Sequence, residues 1–393
     1  MTVTGGPPVS RKLAINRLRE RRPLDSAAVD RFLARHEVPV IEGARCTFLY
    51  RGEADEVFLI HRIFGLPDHL PLRRLRGTDL WYAVLELPEG SRVEYQLEVA
   101  FADGHRERIN DPLNPRLAHS PVGSSSVCYA HGHEIPSWTS FDPDARPGSL
   151  VDMVVPSRAL RRDCPVTLYL PARFRRADPG TRYPLLIVHD GGDYLRYAAA
   201  KTVLDNLIHR LDVAELVAAF VYPGDRLTEY ANSAAHARFL TAELLPRLEA
   251  ELPLAGTPSG RCLMGSSFGA VASLSVAYRH PGVYGSLLLQ SGSFVFTDIG
   301  NDHGGGPVFE PVVRFMNRYR AAPRRVADRL FVSCGVYEPL IVPNRSMVPL
   351  FEAAGMTVRY VEARDGHSWE NWRDRLRDGL SWIFPGAQKY FYE

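Results

Sequence analysis

One stretch constrains this chain more than any other: Cys262-Leu263-Met264-Gly265-Ser266-Ser267-Phe268-Gly269-Ala270. An apolar run enters Gly-Ser-Ser-Phe-Gly, and a small-residue helical pattern follows at once. A G-x-S-x-G pattern alone is common, but one set between a buried strand and a helix is not. In that setting the glycines permit a tight strand-to-helix turn. The turn holds Ser267 in a strained conformation with its hydroxyl exposed above a sheet edge. Any fold assigned to the chain has to supply that strand, that turn and that helix.

The flanking sequence supplies a sheet of the required kind. From Leu150 onward, apolar runs alternate with helical ones. Val166–Leu170, Leu185–His189, Val217–Tyr222, Arg261–Met264, Ser286–Gln290, Leu330–Cys334 and Thr357–Glu362 read as strands. Ala198–Leu211, Ala234–Leu252, Gly269–Tyr278, Met347–Ala354 and Trp369–Trp382 read as helices. Near-continuous apolar strands in regular β/α alternation imply a mainly parallel sheet covered on both faces. The fold class is therefore α/β, of the α/β-hydrolase type.

Before residue 150 the texture differs. Residues 11–37 are charged with helical spacing, and Asp25 or Ser26 is the expected N-cap. Short β-type runs follow at 47–50, 56–60, 81–85 and 93–97, separated by turn residues, as in a small antiparallel sandwich. Residues 111–148, rich in Pro, Ser, His and Gly, read as a linker. The expected division is thus 1–145, a helical segment plus an immunoglobulin-like β-sandwich, and 146–393, the catalytic unit.

A serine nucleophile needs a base, which in this topology follows the acid late in the chain. Among His280, His303 and His367, only His367 lies after the last strand and before the final helix. The acid belongs on the loop after Leu330–Cys334, where Glu338 is the first candidate and Asp365 the second. Two backbone amides should face the substrate oxygen. They are assigned to Phe268, just after the nucleophile, and to Gly192 in His189-Asp190-Gly191-Gly192-Asp193-Tyr194. His189, Asp190 and Asp193 could alternatively bind a metal, and His131-Gly132-His133 resembles a ligand pair that lacks a third member. The acyl-transfer chemistry itself requires no metal and no organic cofactor.

Bulk properties exclude other classes. Net charge is only +2, so nothing calls for nucleic acid or a membrane surface, and the short arginine clusters read as solvated faces. No apolar stretch is long enough for a membrane span. The five cysteines are odd in number and form no CxxC pair, which suits buried thiols in a reducing compartment. With no secretory apolar region at the N-terminus, the expected location is cytoplasmic.

The motifs resemble those of the esterase D group of α/β-hydrolases, and within it the enterochelin (enterobactin) esterases. The similar stretches are His189–Tyr194, Glu243-Leu244-Leu245-Pro246, Gly265–Gly269, Gln290-Ser291-Gly292-Ser293 and Gly366-His367-Ser368-Trp369-Glu370-Asn371-Trp372-Arg373. In the N-terminal half they are Arg76-Gly77-Thr78-Asp79-Leu80-Trp81 and Asn110-Asp111-Pro112-Leu113-Asn114-Pro115. The resemblance implies a small-molecule ester substrate, a trilactone catecholate siderophore carrying ferric iron. It also implies substrate contacts from Arg226 and from Trp369. Feruloyl-type esterases, general carboxylesterases and acyltransferases share the machinery, and a non-catalytic binding protein on the same fold is the rival from another class.

Overall fold

The computed structural model describes residues 12–176, 180–297 and 306–387, in two compact units, 1–134 and 135–393. The division falls ahead of residue 145 because residues 137–140 pack with the second unit. Asn206 Nδ2 donates to the carbonyls of Trp138 and Ser140 at 2.9 and 2.7 Å. His303 and the rest of the stretch 298–305 lie outside the described residues, as does the chain before residue 12.

The first unit opens with helices Ala14–Arg19 and Ser26–Leu33; Asp25 caps the second by accepting from Ala28 N at 2.8 Å. Two antiparallel sheets follow. One is ordered Val40–Glu42, Arg45–Arg51, Leu80–Glu86, Arg73–Arg74. The other runs His69–Pro71, Glu56–His61, Arg92–Ala100, Gly123–Tyr129, Leu117–Ser120, with Arg106–Ile109 also paired to Arg92–Ala100. Phe48 of the first sheet meets Tyr95 of the second edge to face at 4.8 Å, so the sheets form a sandwich. The buried Tyr95 hydroxyl donates to Asp111 Oδ2 at 2.6 Å and accepts from Asn114 Nδ2 at 3.0 Å. The Asn110–Pro115 motif thereby satisfies a polar group inside the core.

Two strands, Leu117–Ser120 and Gly123–Tyr129, fall where the sequence reads as linker. Serines at 124–126 hide the apolar alternation, yet Ser126 Oγ accepts Asp111 N at 2.8 Å, and Val127 and Cys128 are buried. His133 is occupied structurally: it stacks on Tyr129, and its Nδ1 lies 3.2 Å from Gly90 O.

The strands of the second unit are numbered here in chain order: β1 Ser149–Ser157, β2 Arg162–Leu170, β3 Leu185–Val188, β4 Val217–Val221, β5 Arg261–Ser266, β6 Ser286–Gln290, β7 Arg329–Gly335 and β8 Thr357–Ala363. Their spatial order is β1-β2-β4-β3-β5-β6-β7-β8. β1 and β2 are antiparallel to their neighbours, and β3 to β8 run parallel. Every residue of β3 and β4 is buried, and alternate side chains feed two cores. Leu185 and Ile187 join Phe239 and Leu248 on one face, while Leu186 and Val188 join Leu204, Leu207 and Leu380 on the other. The expected helix 234–252 is present but contains a π segment at Phe239–Leu244, and the final helix divides at Arg375. All five cysteines are buried thiols. Among the described residues, no helix is long and apolar enough to cross a membrane.

Candidate active site

At the end of β5 the chain turns abruptly into the helix Phe268–Arg279. Ser267 makes that turn at φ 56°, ψ −120°, a region that costs a β-carbon-bearing residue energy and persists only when neighbours enforce it. Two neighbours do. Ser267 N donates to Gln290 O of β6 at 2.9 Å. Gly265 lies so close to Gly269 that a β-carbon at 265 would run into the Gly269 backbone. The result is a half-exposed serine between buried residues, its Oγ 3.1 Å from Ser293 Oγ.

Beyond β7 and β8 the chain brings a carboxylate to an imidazole. Glu338 is 2% exposed, and its Oε2 takes His367 Nδ1 at 2.5 Å. Its Oε1 accepts Ser291 Oγ at 2.6 Å and Gly335 N at 2.8 Å. Burial pushes this carboxyl up, but the His367 charge and the hydrogen bonds from His367, Ser291 and Gly335 outweigh it. They hold Glu338 below the usual carboxylate range. With Nδ1 donating to Glu338, the imidazole is left with Nε2 as its basic nitrogen on a side chain 38% exposed. Asp365 does other work: its Oδ1 accepts Gly366 N at 2.7 Å and shapes the loop that carries His367. Among the described residues no hydrogen bond joins Ser267, on Ser293, to His367, on Glu338. Catalytic hydrogen bonds often tighten only once substrate is bound.

Trp372 stands edge-on to His367 at 5.0 Å, and its Nε1 donates to Ser291 Oγ at 2.9 Å. Trp369, expected beside the ligand, is instead 8% exposed in an aromatic cluster with Tyr194 and Trp372. Ser368 caps the helix that starts there, so position 372 rather than 369 turns back to the imidazole. Ser291, Ser293 and Trp372 stand in stretches that resemble the enterochelin esterases, but nothing in the sequence gives each its role. Ser291 and Ser293 reach the site because the pairing of Gln290 with Ser333 aligns the ends of β6 and β7.

The loop after β3 completes the site. Asp190 adopts φ 54°, ψ 42° and leads into the helix Gly191–Tyr197. A β-carbon at Gly191 would lie 2.5 Å from Phe220, and one at Gly192 would lie 2.6 Å from the Tyr222 ring. The first intrahelical bonds are made by Asp193 and Tyr194 N to Asp190 O, and in the elbow helix by Ala270 and Val271 N to Ser267 O. The amides of Gly192 and Phe268 precede those bonds, where helical N–H groups have no intrahelical partner. They are suited to receive a negative oxygen.

His189 hydrogen-bonds Met264 O through Nδ1 at 3.0 Å and His236 through Nε2 at 3.0 Å. The Asp190 carboxylate is held by Arg226, whose Nε and Nη2 each lie 2.7 Å from it. His189 and Asp190 are thus committed to protein partners, and no group of three metal-ligating side chains occurs among the described residues. The charge of Arg226 is thus paired with Asp190, while its side chain stays 34% exposed.

Comparison with known proteins places the chain in a family. Residues 157–383 match the family model named Esterase. The iron(III) enterobactin esterase of Dickeya dadantii (strain 3937) is 26% identical, covering 90% of this chain and 92% of that protein. The enterobactin esterase of Shigella flexneri, solved in the presence of enterobactin, superposes with a TM-score of 0.68 at 19% identity. That match covers 86% of this chain and 92% of that one. A ferulic acid esterase structure matches at TM-score 0.52 and 20% identity, covering 61% of this chain and 98% of that one.

Proposed function

The chain belongs to the esterase family, and from that footing we propose that it hydrolyses the ester bonds of a trilactone catecholate siderophore, so that bound ferric iron is released. Ser267 Oγ attacks the ester carbonyl while His367 Nε2 takes its proton. Glu338 stabilises the imidazolium and holds the ring's orientation. The oxyanion rests on the amides of Phe268 and Gly192. His367 then protonates the leaving alkoxide, and a water activated by the same imidazole cleaves the acyl-enzyme. The imidazole of His367, on buried Glu338 at 2.5 Å, is the observation that carries the chemistry.

For the substrate, the support is extent. Similarity to the enterobactin esterases runs through both units, whereas the ferulic acid esterase matches only 61% of the chain. Buried thiols suit a reducing cytoplasm, where an imported ferric siderophore would be opened. The ferulic acid esterase fold also favours a second reading, a feruloyl or general carboxylesterase. Purified protein offered ferric and iron-free enterobactin, methyl ferulate and p-nitrophenyl butyrate separates the two. Sequential opening of the trilactone to catecholoyl-serine units, faster than ferulate release, is expected. Good turnover of ferulate or p-nitrophenyl ester with intact trilactone would transfer the assignment to the second reading.

A further inference from the structure

We infer that Arg226 is a positioning residue for ester cleavage: through Asp190 it fixes the loop that presents the Gly192 amide to the substrate oxygen. The inference rests on the hydrolytic reading above and adds a role for a side chain that a direct-contact account would give to the ligand. The Asp190 side chain is 1% exposed, and a carboxylate buried that deeply needs a charged partner. Arg226 meets it with two parallel bonds of 2.7 Å, the geometry in which guanidinium best fixes orientation as well as charge.

The same short helix, Arg226–Tyr230, supplies a second brace. Tyr230 OH accepts the Asp190 backbone N–H at 3.0 Å, and the Arg226 guanidinium lies 5.5 Å from the Tyr230 ring centre. Residues four apart on a helix share a face, so one segment grips Asp190 by side chain and main chain together. That grip opposes the cost of the left-handed conformation at Asp190, the residue that turns the chain toward Gly192. The pair also abuts the elbow: Asp190 Oδ2 lies 3.3 Å from where a β-carbon of Gly269 would stand. One ion pair thereby lies beside both elements that carry the oxyanion donors.

Steady-state kinetics on neutral p-nitrophenyl butyrate test the inference without depending on the natural substrate. Three changes are compared with wild type: Tyr230→Phe, Arg226→Lys, and the charge-free pair Asp190→Asn with Arg226→Gln, which leaves no buried carboxylate unpaired. Each is expected to lower kcat by roughly 10- to 100-fold with KM within about twofold, because a misplaced donor weakens only the transition state. The inhibition constant of a trifluoromethyl ketone, which forms an oxyanion on Ser267, should rise in proportion. Unchanged kcat on the neutral ester in folded Tyr230→Phe and Arg226→Lys would overturn the inference. So would a KM increase confined to ferric enterobactin, which is the signature of direct contact with an anion. If wild type cleaves the neutral ester but not enterobactin, the substrate assignment fails and this test still stands.

Discussion

Glu338 illustrates how a single buried charge is made tolerable and then useful. Its two oxygens receive three donors, and removing one lone pair's partner inside the protein costs more than the bond is worth in water. Glu338→Gln keeps the shape but removes the charge that stabilises imidazolium. Its kcat is expected to fall by about 10²- to 10⁴-fold while staying above that of Ser267→Ala, since the orienting acid contributes less than the nucleophile. Full activity in Glu338→Gln would show that the imidazole works without it. Glu338 and His367 were legible because chain order and position after a strand identify them. Ser291 and Trp372 were not, because a hydroxyl and an indole gain their roles only when strand register and a helix cap aim them at Glu338 and His367. Arg226 stood out only through the family resemblance, and its pairing with buried Asp190 was not legible, since no local pattern pairs positions 190 and 226.

At the scale of elements, the elbow depends on closeness that only glycine allows, and its two glycines are unequal. A β-carbon at Gly265 meets backbone that cannot move, whereas one at Gly269 approaches His189 Cβ at 3.2 Å and Asp190 Oδ2 at 3.3 Å. Gly265→Ala should therefore abolish activity and destabilise the fold by more than about 3 kcal/mol. Gly269→Ala should fold with a smaller loss and reduced kcat. Denaturant unfolding of both variants checks the order, and equal stabilities would contradict it. The parallel strands β3 to β8 were readable because buried strands are written as unbroken apolar runs. The strands at 117–120 and 123–129 were hidden because their polar side chains serve as internal hydrogen-bond partners, which periodicity does not register.

Across the whole molecule, buried titratable groups make the catalytic unit the more sensitive of the two to acid. Burial pushes His189 down to about 4, outweighing the raising effects of Met264 O and Asp190. Burial, then the neighbouring His189 and Arg162, holds His236 well below its ordinary value. Both must bind a proton more weakly folded than unfolded, so their contribution is complete above about pH 6.5 and is lost as pH falls toward 4. For His189 the full shift corresponds to about 3 kcal/mol. The lowered Glu338 adds to the loss below its unfolded value. In the sandwich, burial raises Asp111 to about 6 against hydrogen bonds from Tyr95 and Leu113 that lower it. Its folded form holds the proton more tightly, a gain between about pH 6 and 4 that offsets the loss from His61 of the same unit, which burial pushes down. Hydrogen exchange read by mass spectrometry should show peptides of 150–383 losing protection before those of 40–130 as pH drops from 7 to 4. The reverse order would contradict these environments.

Ester cleavage through Ser267 is tested by treating the protein with a fluorophosphonate and mapping the adduct, alongside ester turnover by Ser267→Ala. A single adduct on Ser267 is expected, with turnover in Ser267→Ala reduced by on the order of 10⁶-fold and the fold intact. An adduct on another residue such as Ser293, or near wild-type turnover in Ser267→Ala, would contradict it.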